Sequence, residues 1–145
     1  LDAVARQDAR AAGALVAHVL AQPKASAVTV VMALSTQMLA IAWAQARRAQ
    51  GASPAALGGE LFALLKEQGS AYTGRPWGDA VKAWVAAVDR WTAPALDRAL
   101  ALLLETDAAL KETRVSSDEQ LLETLVLSLC ALPNARTGGG GRRAA

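Results

Sequence analysis

The chain has very little of the chemistry that most enzymes use. Its 145 residues include one cysteine, Cys130, and one histidine, His18. A zinc site needs several clustered Cys, His or carboxylate ligands, and a catalytic triad needs a histidine held beside a nucleophile. A single cysteine cannot form a disulfide within the chain, which favours a reducing, cytoplasmic location. The sequence therefore predicts no metal, no cofactor and no catalytic residue.

An excess of charge and a phosphate-binding loop are also missing. The formal net charge is only +2, and no block of five or six like charges occurs. There is no Gly-x-x-x-x-Gly-Lys-Ser/Thr sequence, and the four glycines at 138–141 precede no predicted helix. Composition alone therefore does not indicate binding to nucleic acid or to a nucleotide.

No hydrophobic run is as long as a membrane span requires. The longest, residues 28–43, is interrupted by Ser35, Thr36 and Gln37, whereas a span needs about 20 predominantly apolar residues. A central helix of a soluble bundle, buried on most sides, explains the run better. Its more polar second half, with Arg47 and Arg48, should emerge from the core.

What the chain does contain is alanine and leucine, which are strong helix formers. Hydrophobic residues make up 53% of the chain and aromatic residues 4%. We predict an all-α fold, a compact bundle of five to six helices in one domain at 1–132, followed by a flexible Gly/Arg tail at 133–145. The predicted helices cover residues 8–21, 26–50, 54–67, 78–91, 92–112 and 117–132. A loop is predicted at 68–79.

Local signals support several of these boundaries. Asp8, Ser53 and Ser117 are residue types that cap helix N-termini, and Pro54 suits the first helical position. Gly51 is a natural residue to follow a helix C-terminus.

An acid interrupts the leucine face of the helix at 92–112. Asp107 follows Leu96, Leu100 and Leu103 at helical spacing. A buried carboxylate is too costly to leave unpaired, and Lys111 is four residues further on. We expect Asp107 either to lie at the rim of the core, paired locally, or to accept hydrogen bonds from a helix N-terminus or an arginine.

The four tryptophans are interpreted mainly as core anchors, with a subunit interface as the alternative. They are Trp43, Trp77, Trp84 and Trp91. Trp77 follows Gly74, Arg75 and Pro76, so it is expected in the loop and nearest to the surface.

The order and spacing of the helical patterns resemble a known family. The chain is similar to the C-terminal end of the δ subunit of bacterial DNA polymerase III, in which a helix of the pattern L…AL..L…D..LK precedes a final LE.L…L helix. The residues with this resemblance are Trp91-Thr92, Leu96, Ala99-Leu100, Leu103, DAALK at 107–111 and LETLVLSLC at 122–130. A helix ending in Gln45-Ala46-Arg47-Arg48 and a short helix that starts at Ser53-Pro54 also fit, so the resemblance spans about residues 2–132.

The resemblance implies a collar domain of the clamp loader, which assembles with the collars of γ/τ and δ′ in DNA replication. It implies no enzyme activity in this part, since the δ subunit resembles ATPases without hydrolysing ATP. The chain begins at Leu1, which we interpret as the C-terminal part of a longer subunit of the DNA polymerase III holoenzyme. DNA would be touched only indirectly or weakly, no membrane is implied, and a homodimer in isolation is compatible. Residues expected to make assembly or structural contacts are Asp107, Lys111, Trp77, Arg47 and Arg48.

The long loop at 68–79 and the Gly/Arg tail depart from the family pattern. Two alternatives to assembly also stay open. One is a helical domain that binds nucleic acid through scattered basic residues, namely Arg47, Arg48, Arg75, Lys82, Arg142 and Arg143. The other, weaker one is a helical-bundle enzyme using carboxylates such as Asp107 and Glu105.

Overall fold

The computed structural model describes residues 1–67, 76–112 and 117–134, and their regular structure is α-helical, as the sequence predicts. The predicted loop at 68–79 falls largely, and the tail from 135 onward wholly, outside the described residues. The described residues form seven helices: α1 (Asp2–Ala5), α2 (Ala9–Leu20), α3 (Ala27–Ala49), α4 (Pro54–Glu67), α5 (Trp77–Ala87), α6 (Ala93–Lys111) and α7 (Asp118–Cys130).

Several helices begin at a polar side chain that accepts a hydrogen bond from a backbone N–H group without an acceptor inside the helix. The Asp8 carboxylate accepts from the Ala11 N–H at 2.9 Å, and Ser53 Oγ accepts from Ala56 at 3.2 Å. Ser117 forms a complete capping box with Gln120, whose side chain accepts the Ser117 N–H. These caps confirm the predicted starts of α2, α4 and α7.

The core lies where α3 packs on α6 and α2 packs on α7, while α4 and α5 pair beside α3. The Gln45 side-chain amide donates to the Trp91 carbonyl oxygen, so the end of α3 meets the start of α6. These two long helices therefore run antiparallel. Trp84 and Trp91 are almost fully buried, which agrees with their interpretation as core anchors.

The start of the chain is held by hydrogen bonds to distant residues. Trp91 Nε1 donates to the Ala5 carbonyl at 3.1 Å, and the buried Gln37 amide donates to the Leu1 carbonyl at 3.0 Å. Gln7 Nε2 donates to the Leu132 carbonyl at 2.9 Å. The first helix is thereby joined to α3, to the segment before α6 and to the segment after α7.

The helix predicted at 78–91 is shorter at its C-terminus than expected. It ends at Ala87, and Trp91 instead forms an isolated antiparallel bridge with Asn134. The reason lies in the next helix: Thr92 caps α6 from an extended conformation, with φ −94° and ψ 155°. A helix continuing through Trp91 would leave too little chain to reach that conformation.

The prediction that α3 is buried on most sides is wrong for one of its faces. Val31, Leu34, Met38 and Ile41 are in the core, but Met32 and others on the opposite face reach solvent. Hydropathy shows that a helix is apolar, whereas its exposure depends on how many neighbours the topology supplies.

Candidate functional site

The most unusual surface of the molecule is an apolar stripe along α3. Val28, Met32 and Leu39 are 38%, 60% and 56% exposed. Their spacing of four and seven residues places them on one face of the helix, over about 16 Å of its length. No charged residue occurs between Lys24 and Arg47. We call Val28, Met32 and Leu39 the α3 stripe.

A solvent-facing helix surface normally carries charged side chains. Three large apolar side chains without a charged neighbour on their own helix are typical of a surface that another molecule covers. The sequence reasoning missed the stripe, because the same residues also fit a fully buried helix.

By length and composition, α3 alone among the described helices could cross a membrane. However, 39% of its most apolar window is buried inside the bundle. Core helices of soluble proteins pass the same test, so this property is weak evidence for a membrane.

The C-terminal end of α3 is an ion-paired corner. Arg47 contacts Glu60 of α4 through two hydrogen bonds, Nε to Oε2 at 2.8 Å and Nη2 to Oε1 at 3.0 Å. Arg48 pairs with Asp89 at 3.2 Å. The hydrogen bond from Arg47 lowers the pKa of Glu60, and the same contact raises the pKa of Arg47. Both arginines thus have carboxylate partners within the chain.

Asp107, on α6, lies at the rim of the core. Its side chain is 29% exposed and pairs with Lys111, which is 66% exposed. The sequence left two possibilities for this acid: a local pair at the rim, or hydrogen bonds from a helix N-terminus or an arginine. The structure shows the local pair at the rim. Because α3 and α6 are antiparallel, this pair is at the opposite end of the bundle from Arg47 and Arg48.

Trp77 does not occupy the loop position predicted for it. It is the first residue of α5, and its half-buried ring packs edge-to-face against Phe62, with centroids 6.3 Å apart. The glycines and proline near Trp77 suggested a loop, but Pro76 immediately precedes the helix, at the N-cap position.

The described part of the chain brings together no group of three or more His, Cys, Asp or Glu side chains able to hold a metal ion. His18, near the C-terminal end of α2, is exposed. Cys130 is half-buried at the end of α7, near the start of α2. Burial, and secondarily the charge of Asp8, raises the pKa of the Cys130 thiol to about 11. A thiol with this pKa is a poor nucleophile near neutral pH.

Comparisons of the chain with protein-family models, curated proteins and solved structures give no match. The geometry of the surface and the sequence resemblance are thus the two grounds for proposing a function.

Proposed function

We propose that this chain is a non-catalytic assembly domain, the collar of a δ-like clamp-loader subunit that packs against γ/τ and δ′ collars. The observation that supports an assembly role best is the α3 stripe, an exposed apolar surface on a helical bundle. The resemblance of residues 91–130 to the δ subunit supports the particular assembly.

The stripe is suited to be the centre of an interface. Stable interfaces bury about 800 Å² on each partner and have an apolar centre with a polar rim. Met32 and Leu39 would supply the centre, with Val28 at one end. Polar groups beside the stripe, such as Thr29 and Ser35, carry no net charge that would need a matching ion.

In this proposal the other predicted contact residues have secondary roles. Arg47 and Arg48 stabilise the corner between α3, α4 and the segment after α5 through Glu60 and Asp89. Asp107 and Lys111 form a rim pair on α6. Rim charges of this kind affect association rates more than affinity.

The test is assembly with purified γ/τ and δ′ collar domains, followed by size-exclusion chromatography. A chain with both Met32→Glu and Leu39→Glu should lose co-elution, because two carboxylates would be buried at the interface. Leu104→Glu is the matched control, since Leu104 is 70% exposed on α6 and lies outside the stripe. Circular dichroism would verify that all three proteins are folded.

Failure of the unmodified chain to co-elute with either collar would refute the clamp-loader assembly. Equal loss of co-elution in the stripe variant and in Leu104→Glu would refute the stripe as the contact surface.

Nucleic-acid binding has less support than assembly. Its two best-placed arginines, Arg47 and Arg48, already pair with carboxylates, and Lys82 stands on a different helix. Arg75, Arg142 and Arg143 lie outside the described residues. Binding to single- or double-stranded DNA with a steep dependence on salt concentration would favour this alternative.

A further inference from the structure

A second apolar feature lies on the side of the bundle formed by α1, α2, α3 and α7. It is a partly open cavity of about 320 Å³, which we call the α2 pocket. Its wall includes Leu15 and Val19 of α2, Val30 and Ala33 of α3, and Val126 of α7. Four separate helices thus converge on a space that none of their side chains fills.

We propose that the α2 pocket binds a small uncharged aliphatic molecule with a terminal hydroxyl group, such as a medium-chain alcohol. The proposal does not depend on the clamp-loader assembly, because none of the three residues of the α3 stripe lines the pocket.

The lining determines the class of ligand. No side chain that lines the pocket is charged, and the lining offers no carboxylate, so a cationic ligand would lose its hydration without gaining a counter-ion. The polar side chains in the lining are Gln22 and Thr29, both near the loop between α2 and α3. Thr29 Oγ1 already shares a hydrogen bond of 2.8 Å with Ser26 Oγ. Gln22 is therefore the side chain available to bond a hydroxyl group at the rim.

The volume determines the size of the ligand. An engineered apolar cavity of about 150 Å³ stays dry and binds benzene, which has six carbons. A pocket of about 320 Å³ therefore suits a chain of about ten to twelve carbons. The inner part of the pocket does not stabilise an ordered water molecule, because such a water needs two to four polar partners and the aliphatic wall supplies none.

Small side chains keep the space open. Ala12, Ala25 and Ala33 line the pocket at positions where leucine would fill part of it. Ala33 is half-buried on the wall contributed by α3, so a phenylalanine at this position would project into the volume that a ligand needs.

The test uses 1-decanol as the probe, below its solubility limit, with the 145-residue chain. We expect saturable one-to-one binding by titration calorimetry, with affinity at least tenfold weaker in Ala33→Phe. Decylammonium, which adds a positive charge to a chain of the same length, should bind at least tenfold more weakly than the alcohol.

Ala109→Phe is the matched control. Ala109 lies in a separate groove of about 660 Å³ between α6 and α7, where Glu105, Thr106 and Gln120 contribute polar groups. Binding of decanol should be unchanged in this variant.

Methyl NMR of the unmodified chain gives a reading that does not depend on the folding of either variant. Decanol should shift the signals of Val19, Val30 and Val126, and should leave those of Leu102 and Leu121 in the other groove unchanged. Absence of saturable binding, or shifts confined to Leu102 and Leu121, would overturn the proposal.

Discussion

At the scale of single residues, Asp107 shows how an acid is accommodated on a leucine-rich helix face. The carboxylate remains partly solvated and has Lys111 one turn away, so it avoids the desolvation cost of full burial. We predict that Asp107→Asn changes the free energy of unfolding by less than about 0.5 kcal/mol, the usual range of a solvated i,i+4 pair.

Urea denaturation measures this change, with Asp97→Asn on the exposed side of α6 as the control. A loss of more than about 1.5 kcal/mol, specific to Asp107, would mean that the carboxylate has a buried role that a local pair does not explain.

Cys130 should be slow to react. With a pKa of about 11, its thiolate is scarce at pH 8, and the higher intrinsic nucleophilicity of a basic thiolate offsets only part of this. We predict alkylation by iodoacetamide at pH 8 about 20-fold slower than that of glutathione. Mass spectrometry follows the reaction, and 6 M urea should abolish the difference. A folded chain that reacts as fast as glutathione would contradict a half-buried thiol.

At the scale of helices, the capping box of α7 is a specific stabilising element. Ser117→Ala removes the acceptor for the Gln120 N–H and should lower the free energy of unfolding by about 1 kcal/mol. Thr124→Ala, on the exposed face of the same helix, should have almost no effect or a slightly stabilising one. Thermal and urea denaturation of both variants test this, and equal stability of Ser117→Ala and wild type would argue against the cap.

The contact between α3 and α4 should depend on pH. Arg47 lowers the pKa of Glu60, so the folded state releases this proton more readily than the unfolded state does. The stabilisation is therefore present above the ordinary glutamate pKa of 4.5 and is lost as pH falls through the lower folded value.

Glu60→Gln should accordingly lower the melting temperature at pH 7 by a small amount and make less difference near pH 3. The effect is small because the pair is exposed to solvent. Glu67→Gln, at the end of the same helix, serves as the comparison. A difference between Glu60→Gln and wild type that stayed the same from pH 7 to pH 3 would contradict the assigned ion pair.

At the scale of the whole molecule, Trp91 is the residue that links most parts of the bundle. It is buried, donates to the Ala5 carbonyl, accepts from Gln45 and bridges to Asn134. Trp91→Phe keeps an aromatic ring but leaves the Ala5 carbonyl without this donor. We predict a loss of about 1–3 kcal/mol in the free energy of unfolding.

Trp43→Phe is the matched control, because Trp43 is only half-buried and its indole N–H donates no hydrogen bond to any residue that the structure describes. Its effect in urea denaturation should be clearly smaller. Comparable losses in the two variants would mean that ring volume, and not the link to Ala5, determines the stability.

The helices were predictable from the sequence because their signals are local. Asp8, Ser53 and Ser117 satisfy backbone groups within three residues, so no knowledge of the tertiary structure is needed to place them. For the early end of α5, the Thr92 cap of α6 is a local signal. The contacts of Trp91 with Ala5 and Asn134 join residues that are distant in the sequence, so they were not predictable.

The surface was predictable only in part for the same reason. The pairing of Asp107 with Lys111 follows from their spacing on one helix. The exposure of Met32 and the space beside Ala33 depend on which helices pack around α3. The hydrophobic pattern of α3 is the same whether a neighbouring helix covers that face or leaves it open to solvent.

The hydrogen bonds that hold α1 also constrain the order in which the protein can form. The partners of Ala5 and Gln7 are 86 and 125 residues away along the chain. Closing loops of this length costs conformational entropy that one hydrogen bond does not offset, so α1 can dock only after its distant partners are in place. During synthesis α1 leaves the ribosome before α2 to α7, yet it should be among the last of these helices to find its native position, because it must wait until α7 has emerged.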